Sequence, residues 1–126
     1  MQLFISPGWL EVLSGDARIS APIFLAYKTV IGRLEPEMET ATPRPSLGEF
    51  IGLSMRDEPL RLQMSRRQAQ ITYDTENETH AIKNVGRFGT HVTVDNMPLG
   101  QGAEAALQNG SIIYMFPNWK FKFHIK

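Results

Sequence analysis

A chain of 126 residues with 42% hydrophobic and 21% charged residues has the makeup of one compact globular domain, so the expectation is a single domain over residues 1–126. The absence of cysteine excludes a disulfide framework and a thiolate metal site, and suits a reducing compartment. Thirteen Lys+Arg balance thirteen Asp+Glu, so no overall field draws the molecule to nucleic acid or anionic lipid, and any anion site must be local. Apolar stretches such as Ala21 to Tyr27 fall short of the ~20 residues that span a bilayer, and the first residues lack the layout of a signal peptide. A cytoplasmic location is expected.

In chain order, Pro7 to Asp16 alternate, with Trp9, Glu11 and Leu13 on one side and Leu10, Val12 and Ser14 on the other, until Gly15-Asp16 supplies a turn. This predicts a strand. From Pro22 to Leu34 the residues are rich in β-formers (Ile23, Phe24, Tyr27, Thr29, Val30, Ile31) and end in Gly32-Arg33, where a strand gives way to a loop. Between Leu34 and Glu49 stand Pro36, Pro43 and Pro45 with Glu35, Glu37, Glu39 and Glu49, and almost nothing apolar. This composition predicts a mobile acidic loop over 34–49. Phe50-Ile51-Gly52-Leu53 reads as a short strand, followed by the polar turn Arg56-Asp57-Glu58-Pro59.

Half-buried strands then recur: Ala69, Ile71 and Tyr73 alternate with Gln68, Gln70 and Thr72, and Val92 and Val94 alternate with His91, Thr93 and Asp95. Ala103 to Leu107 reads as at most one helical turn, and Ile112 and Ile113 follow the turn Asn109-Gly110. The last segment alternates most cleanly, with Trp119, Phe121, Phe123 and Ile125 on one face and Lys120, Lys122, His124 and Lys126 on the other. Many short strands, Gly/Pro/Asn turns and no comparable helix predict an all-β sandwich or small barrel whose loops carry the function.

The stretches Thr29 to Arg33, Met64 to Ile71, Ile82 to Thr90 and Leu107 to Ile113, four landmarks over about residues 23 to 126, together resemble the forkhead-associated (FHA) family. Thr29-Val30-Ile31-Gly32-Arg33 is similar to the strand ending in Gly-Arg that opens that family's phosphopeptide face. Met64-Ser65-Arg66-Arg67-Gln68-Ala69-Gln70-Ile71 is similar to its Ser-Arg-x-His-Ala pattern. Ile82-Lys83-Asn84-Val85-Gly86-Arg87-Phe88-Gly89-Thr90 resembles the segment that reads Asn-Gly-Thr, and Leu107-Gln108-Asn109-Gly110-Ser111-Ile112-Ile113 resembles Leu-x-x-Gly-Asp-x-Ile. The closing Phe-x-Phe of the fold stands here as Phe121-Lys122-Phe123. The resemblance implies a β-sandwich of two antiparallel sheets that binds phosphothreonine peptides in signalling or assembly, with no cofactor and no catalysis.

Carried over residue by residue, Arg33 and Ser65 contact the phosphate, and Arg66 lies in the same loop, within reach of the phosphate or of acidic residues beside it. Arg87, Phe88, Gly89 and Thr90 form the third recognition segment, where Arg87 stands near a position the family gives to a small hydroxyl residue and adds a guanidinium. Two positions depart from the pattern. Gln68 replaces a histidine that buttresses the loop and keeps its capacity to donate and accept hydrogen bonds. Phe88 replaces an asparagine that holds the peptide backbone and cannot supply those bonds.

Two or three charged hydrogen bonds at about 1.5–3 kcal/mol each sustain affinity near the micromolar level, about 8 kcal/mol, from which a lost anchor subtracts about 1–3 kcal/mol. Weak phosphopeptide binding, or recognition of a larger folded partner, is therefore expected. The acidic segment Glu35 to Glu39 is either a plain loop or an internal phosphate mimic lying over Arg33 and Arg66. Plainer readings make Arg33, Arg66 and Arg67 solvated surface residues, Ser65 a turn cap, and Gln68 and Phe88 packing residues in a loop without a ligand. The main alternative is a phosphate-independent scaffold or self-association domain of the same fold. His80, His91 and His124 are too scattered to suggest a metal site or a general base, and no nucleophile–base pair is visible.

Overall fold

The computed structural model describes residues 5–15, 22–34, 48–55, 59–87 and 91–126. Ten strands are formed among them: β1 (Ile5–Ser14), β2 (Ile23–Arg33), β3 (Gly48–Leu53), β4 (Ala69–Asp74), β5 (Thr79–Asn84), β6 (Val92–Val94), β7 (Met97–Pro98), β8 (Glu104–Leu107), β9 (Ile112–Met115) and β10 (Trp119–Ile125), with one 3-10 turn at Arg61–Gln63. The Thr/Val/Ile-rich runs become strands because branched and aromatic side chains pack well on a pleated, half-buried surface.

The alternation in β10 sets the core. Trp119, Phe121 and Phe123 are wholly buried, and β10 lies between β9 and β1, where they meet Leu10, Leu25, Ile31, Ile71, Ile82 and Ile113. Burial of such side chains stabilises the fold by about 1.5–3 kcal/mol each. Ile125, expected on the same inner face, is 37% exposed because the strand there runs out of the core. On the outer face of β1 and β10, Trp9 stacks on His124 at 4.2 Å between ring centres, and His124 Nε2 lies 2.9 Å from a Glu11 carboxylate oxygen.

One layer runs β7-β6-β9-β10-β1, and the other contains β2, β4, β5 and β8 with β3 beside β2. The long β2 joins the layers. Its first half pairs with β1 (Leu10 with Ile23, Trp9 with Phe24), and its second half pairs with β4 (Lys28 with Thr72 through Ile31 with Ala69). Between the halves the Thr29 hydroxyl accepts the Ala26 N–H at 3.0 Å, which satisfies a backbone donor where the strand changes partners.

Three expectations change. The β2–β3 pairing (Val30 with Phe50 through Arg33 with Leu53) is parallel, so the sandwich is not antiparallel throughout. β3 begins at Gly48, and the last two residues read as acidic loop are strand; residues 35–47 lie outside the described residues. Ala103 to Leu107 forms no helical turn. Glu104–Leu107 is β8, paired with β5 from Lys83–Glu104 to His80–Leu107, because its backbone completes the ladder of a strand whose other edge is taken by β4. Helix-forming alanines yield to that pairing.

Candidate functional site

The end of β2, the start of β4 and the end of β5 lie side by side, because Ile31 pairs with Ala69 and Ala69 with Asn84. The segments leaving these strands therefore meet at one end of the sandwich, bringing Gly32-Arg33, Ser65-Arg66 and Arg87 together.

Close packing fixes the first contact. The backbone of Ser65-Arg66 lies directly on Gly32, where a Cβ would overlap the Arg66 carbonyl oxygen. Only glycine permits that approach. The Arg33 N–H donates to the Ser65 carbonyl at 3.1 Å, and Arg33 Nε donates to the Met64 carbonyl at 3.0 Å. The second bond holds the root of the guanidinium against the neighbouring loop, so part of the entropy cost of ordering a long side chain is already met. Arg33 is half-buried, whereas Arg66 and Arg87 are exposed.

Ser65 is held from two sides. Its N–H donates to Gln68 Oε1 at 2.9 Å, and its Oγ accepts the backbone N–H of Arg87 at 2.9 Å. A serine hydroxyl that accepts one bond retains its own hydrogen as a donor. Behind it stands a buried amide pair. Gln68 Nε2 donates to Asn84 Oδ1 at 3.0 Å, the same oxygen accepts the Gly86 N–H at 3.1 Å, and Asn84 Nδ2 donates to the Leu99 carbonyl at 2.8 Å. Both side chains are fully buried, and the Gln68 backbone is tied to Ile31 and Val85. The Gln68 amide thus buttresses the loop, as its hydrogen-bonding capacity allows. Gly86 is required beside it, since a Cβ there would overlap the Gln68 amide nitrogen.

Of the residues expected in the site, Arg33, Ser65, Arg66 and Arg87 come from three segments that are hydrogen-bonded or packed against one another. Phe88, Gly89 and Thr90 lie outside the described residues. Asn84, to which no sequence pattern assigns a role, ties Gln68, Gly86 and Leu99 together. Its signal is an amide at a strand end just before Val85-Gly86, a place where a side chain with both donor and acceptor serves turning backbone. The histidines stand apart: His80 bonds Ser6, His91 bonds Gln63 and His124 bonds Glu11. No group of three or more potential metal ligands occurs among the described residues, and no helix among them is long and apolar enough to cross a membrane.

No protein-family profile and no curated protein sequence matches the chain. Solved structures do match it. The FHA domain of an Arabidopsis thaliana hypothetical protein superposes with a TM-score of 0.65 at 12% identity, covering 99% of this chain and 91% of that one. A structure from a study of phosphothreonine-dependent FHA domain interactions gives 0.61 at 18% identity, covering 94% of this chain and 96% of the other. Mycobacterium tuberculosis EmbR in complex with a low-affinity phosphopeptide gives 0.61 at 21% identity, covering 99% of this chain and 25% of that longer one. Agreement over nearly the whole chain at such low identity is agreement of architecture, and the strand-end cluster of Arg33, Ser65, Arg66 and Arg87 therefore sits on the fold of a forkhead-associated domain.

Proposed function

We propose that the protein is an interaction module that binds phosphothreonine-containing segments of partner proteins in signalling or assembly. The observation that carries this reading is the state of Ser65. Its hydroxyl accepts the Arg87 N–H, which leaves its hydrogen for an external acceptor, and it lies between an anchored Arg33 and the Arg66 and Arg87 segments. A phosphate monoester offers nearly two negative charges and three acceptor oxygens, the complement of guanidinium groups around a short neutral donor. Structural relatives include one in complex with a phosphopeptide, which supports the same chemistry.

Phe88 cannot replace an amide that holds peptide backbone, so affinity is expected near or weaker than the micromolar level. Titration of the domain with phosphothreonine peptides and their unphosphorylated counterparts tests the reading. Preference for the phosphorylated form, lost in Arg33→Ala, is the expected result; equal affinity for both forms overturns it.

One feature favours a phosphate-independent scaffold as the second reading. Trp9, Phe24 and Leu13 are partly or largely exposed on the β1–β2 side of the other layer, next to the Trp9–His124 stack. Under that reading partner capture or self-association survives Arg33→Ala, whereas Trp9→Ala or Phe24→Ala removes it.

A further inference from the structure

The inner face of β10 belongs to the core, but the outer face of the same layer carries aromatics of its own. Trp9 is paired with Phe24 on one side and with His124 on the other, so three rings from β2, β1 and β10 stand in one row across the sheet. Their chain neighbours Leu10, Ile23, Leu25 and Phe123 are buried, which turns the row outward. Phe24 is 39% exposed, Trp9 and His124 are half-buried, and the last two are held in a 4.2 Å stack. A line of cations crosses this row. Lys120, Lys122, His124 and Lys126 follow one another at every second residue, about 6.8 Å from step to step, and Lys126 Nζ lies 5.9 Å from the centre of the Phe24 ring. Glu11 is the only acidic residue in β1, β2, β9 and β10, and its carboxylate meets His124 Nε2 at 2.9 Å. Among the described residues none of the three lysines has a carboxylate within ion-pair distance.

Charge and ring chemistry together select the occupant. A second copy of the chain, docked by the same face about a two-fold axis, would set the lysines of one copy against those of the other. An acidic polypeptide would satisfy the lysines but press carboxylates against ring faces, whose π-electrons repel anions. A single strand of nucleic acid matches both parts, since each nucleotide offers a phosphate for a lysine and a flat base for a ring. We propose that the outer face of the β9–β10–β1–β2 layer binds single-stranded nucleic acid, with phosphates along Lys120, Lys122 and Lys126 and bases against Phe24, Trp9 and His124. The zero net charge of the chain is no obstacle, because the positive field is local to one face. The platform is independent of the phosphothreonine reading, whose Arg33 stands at the end of β2 that pairs within the other layer.

The test follows the fluorescence anisotropy of a labelled ten-nucleotide oligothymidylate at low salt. Saturable binding is expected, with log K falling against log salt at a slope of about −2, as for three phosphates neutralised at about 0.7 each on a single strand. The variant Lys120→Gln/Lys122→Gln/Lys126→Gln is expected to bind roughly 10-fold more weakly and to flatten that slope. An abasic strand of the same length keeps the phosphates without the bases and is expected to bind the wild type roughly 10-fold more weakly. Absence of saturable binding, full affinity in the triple variant, or an abasic strand bound as tightly as oligothymidylate overturns the platform. Hexaglutamate bound as tightly as oligothymidylate overturns it too and assigns the face to an acidic protein.

A second measurement needs no charge substitution. Of the two tryptophans, Trp119 is wholly buried, so quenching by a stacked base falls on Trp9. Oligothymidylate is expected to quench the wild type saturably, in step with anisotropy, and to leave the fluorescence of Trp9→Phe unchanged; binding without quenching overturns the placement of bases on this row. Arg33→Ala is expected to keep its oligothymidylate affinity, and a loss there would move the strand to the Arg33 cluster and overturn the platform. If phosphorylation changes no peptide affinity while oligothymidylate binds as described, the phosphothreonine reading fails and the platform stands.

Discussion

Gln68 and Asn84 show how a buried amide pair builds a surface loop. Neither side chain reaches solvent, yet one supports the Ser65 N–H and the other supports Gly86 and the Leu99 carbonyl. Gln68→Ala removes one of the two donors to the buried Asn84 Oδ1 and leaves the Ser65 N–H without its acceptor. Such a loss costs about 1–3 kcal/mol. The variant is expected to unfold at correspondingly lower denaturant and to bind phosphothreonine peptide more weakly than its remaining folded fraction explains; an unchanged denaturation midpoint counts against the buttress. The arginines and the serine were legible in the sequence because short patterns place them at strand ends. Asn84 was not, because an amide's role is set by the atoms that surround it, and those come from two distant stretches of chain as well as the adjoining turn.

At the level of strands, β5 links the layers through His80. Its Nε2 lies 2.9 Å from Ser6 Oγ on β1, its ring meets Phe123 of β10 edge-on at 4.9 Å, and Gly8 leaves room for it, since a Cβ there would fall 2.7 Å from the imidazole. His80 Nδ1 is buried with no hydrogen-bond partner among the described residues, and burial pushes the imidazole pKa below its ordinary 6.5. The folded state therefore keeps His80 neutral where the unfolded chain takes up a proton. Its contribution to stability is complete above pH 6.5 and falls as the pH drops below that value toward the folded pKa, with a limiting slope of about 1.4 kcal/mol per pH unit for one proton. Chemical denaturation between pH 7.5 and 5 is expected to show a smaller loss of stability in His80→Gln than in the wild type; parallel curves would exclude His80 as the source.

The strands themselves were unequally visible. β10 and β2 declare themselves by alternation and by branched side chains. β8 does not, since Ala105 and Ala106 carry helical propensity and only the exposed ladder of β5 makes them a strand. The parallel partnership of β3 was equally hidden, because strand direction depends on where the connecting segment crosses and leaves no mark on a six-residue run.

For the molecule as a whole, the dominant fact is that β2 belongs to both layers. The core is continuous from Leu10 and Ile23 through Ile31 and Ile71 to Phe121 and Phe123, so no plane divides it into halves with separate interiors. Denaturant unfolding is therefore expected to be a single transition, with tryptophan fluorescence and far-ultraviolet circular dichroism changing together. Two resolved transitions would show that the layers separate. The all-β class and the grouping of the segments that carry Arg33, Ser65 and Arg87 were legible at this scale because turn residues recur at short intervals along the chain; the sharing of one strand between layers was not, because it emerges only when pairing partners are known.

The contact at Gly32 bears on how any Gly-Arg pair in such a scaffold should be interpreted. Because the Arg66 carbonyl occupies the room a methyl group would need, selection for folding alone retains this glycine even in a protein that has ceased to recognise anything. The neighbouring guanidinium is under no comparable steric demand. Searches for active recognition modules would therefore do better to weight the arginine, and the serine hydroxyl of the neighbouring loop, over the glycine that architecture requires in any case.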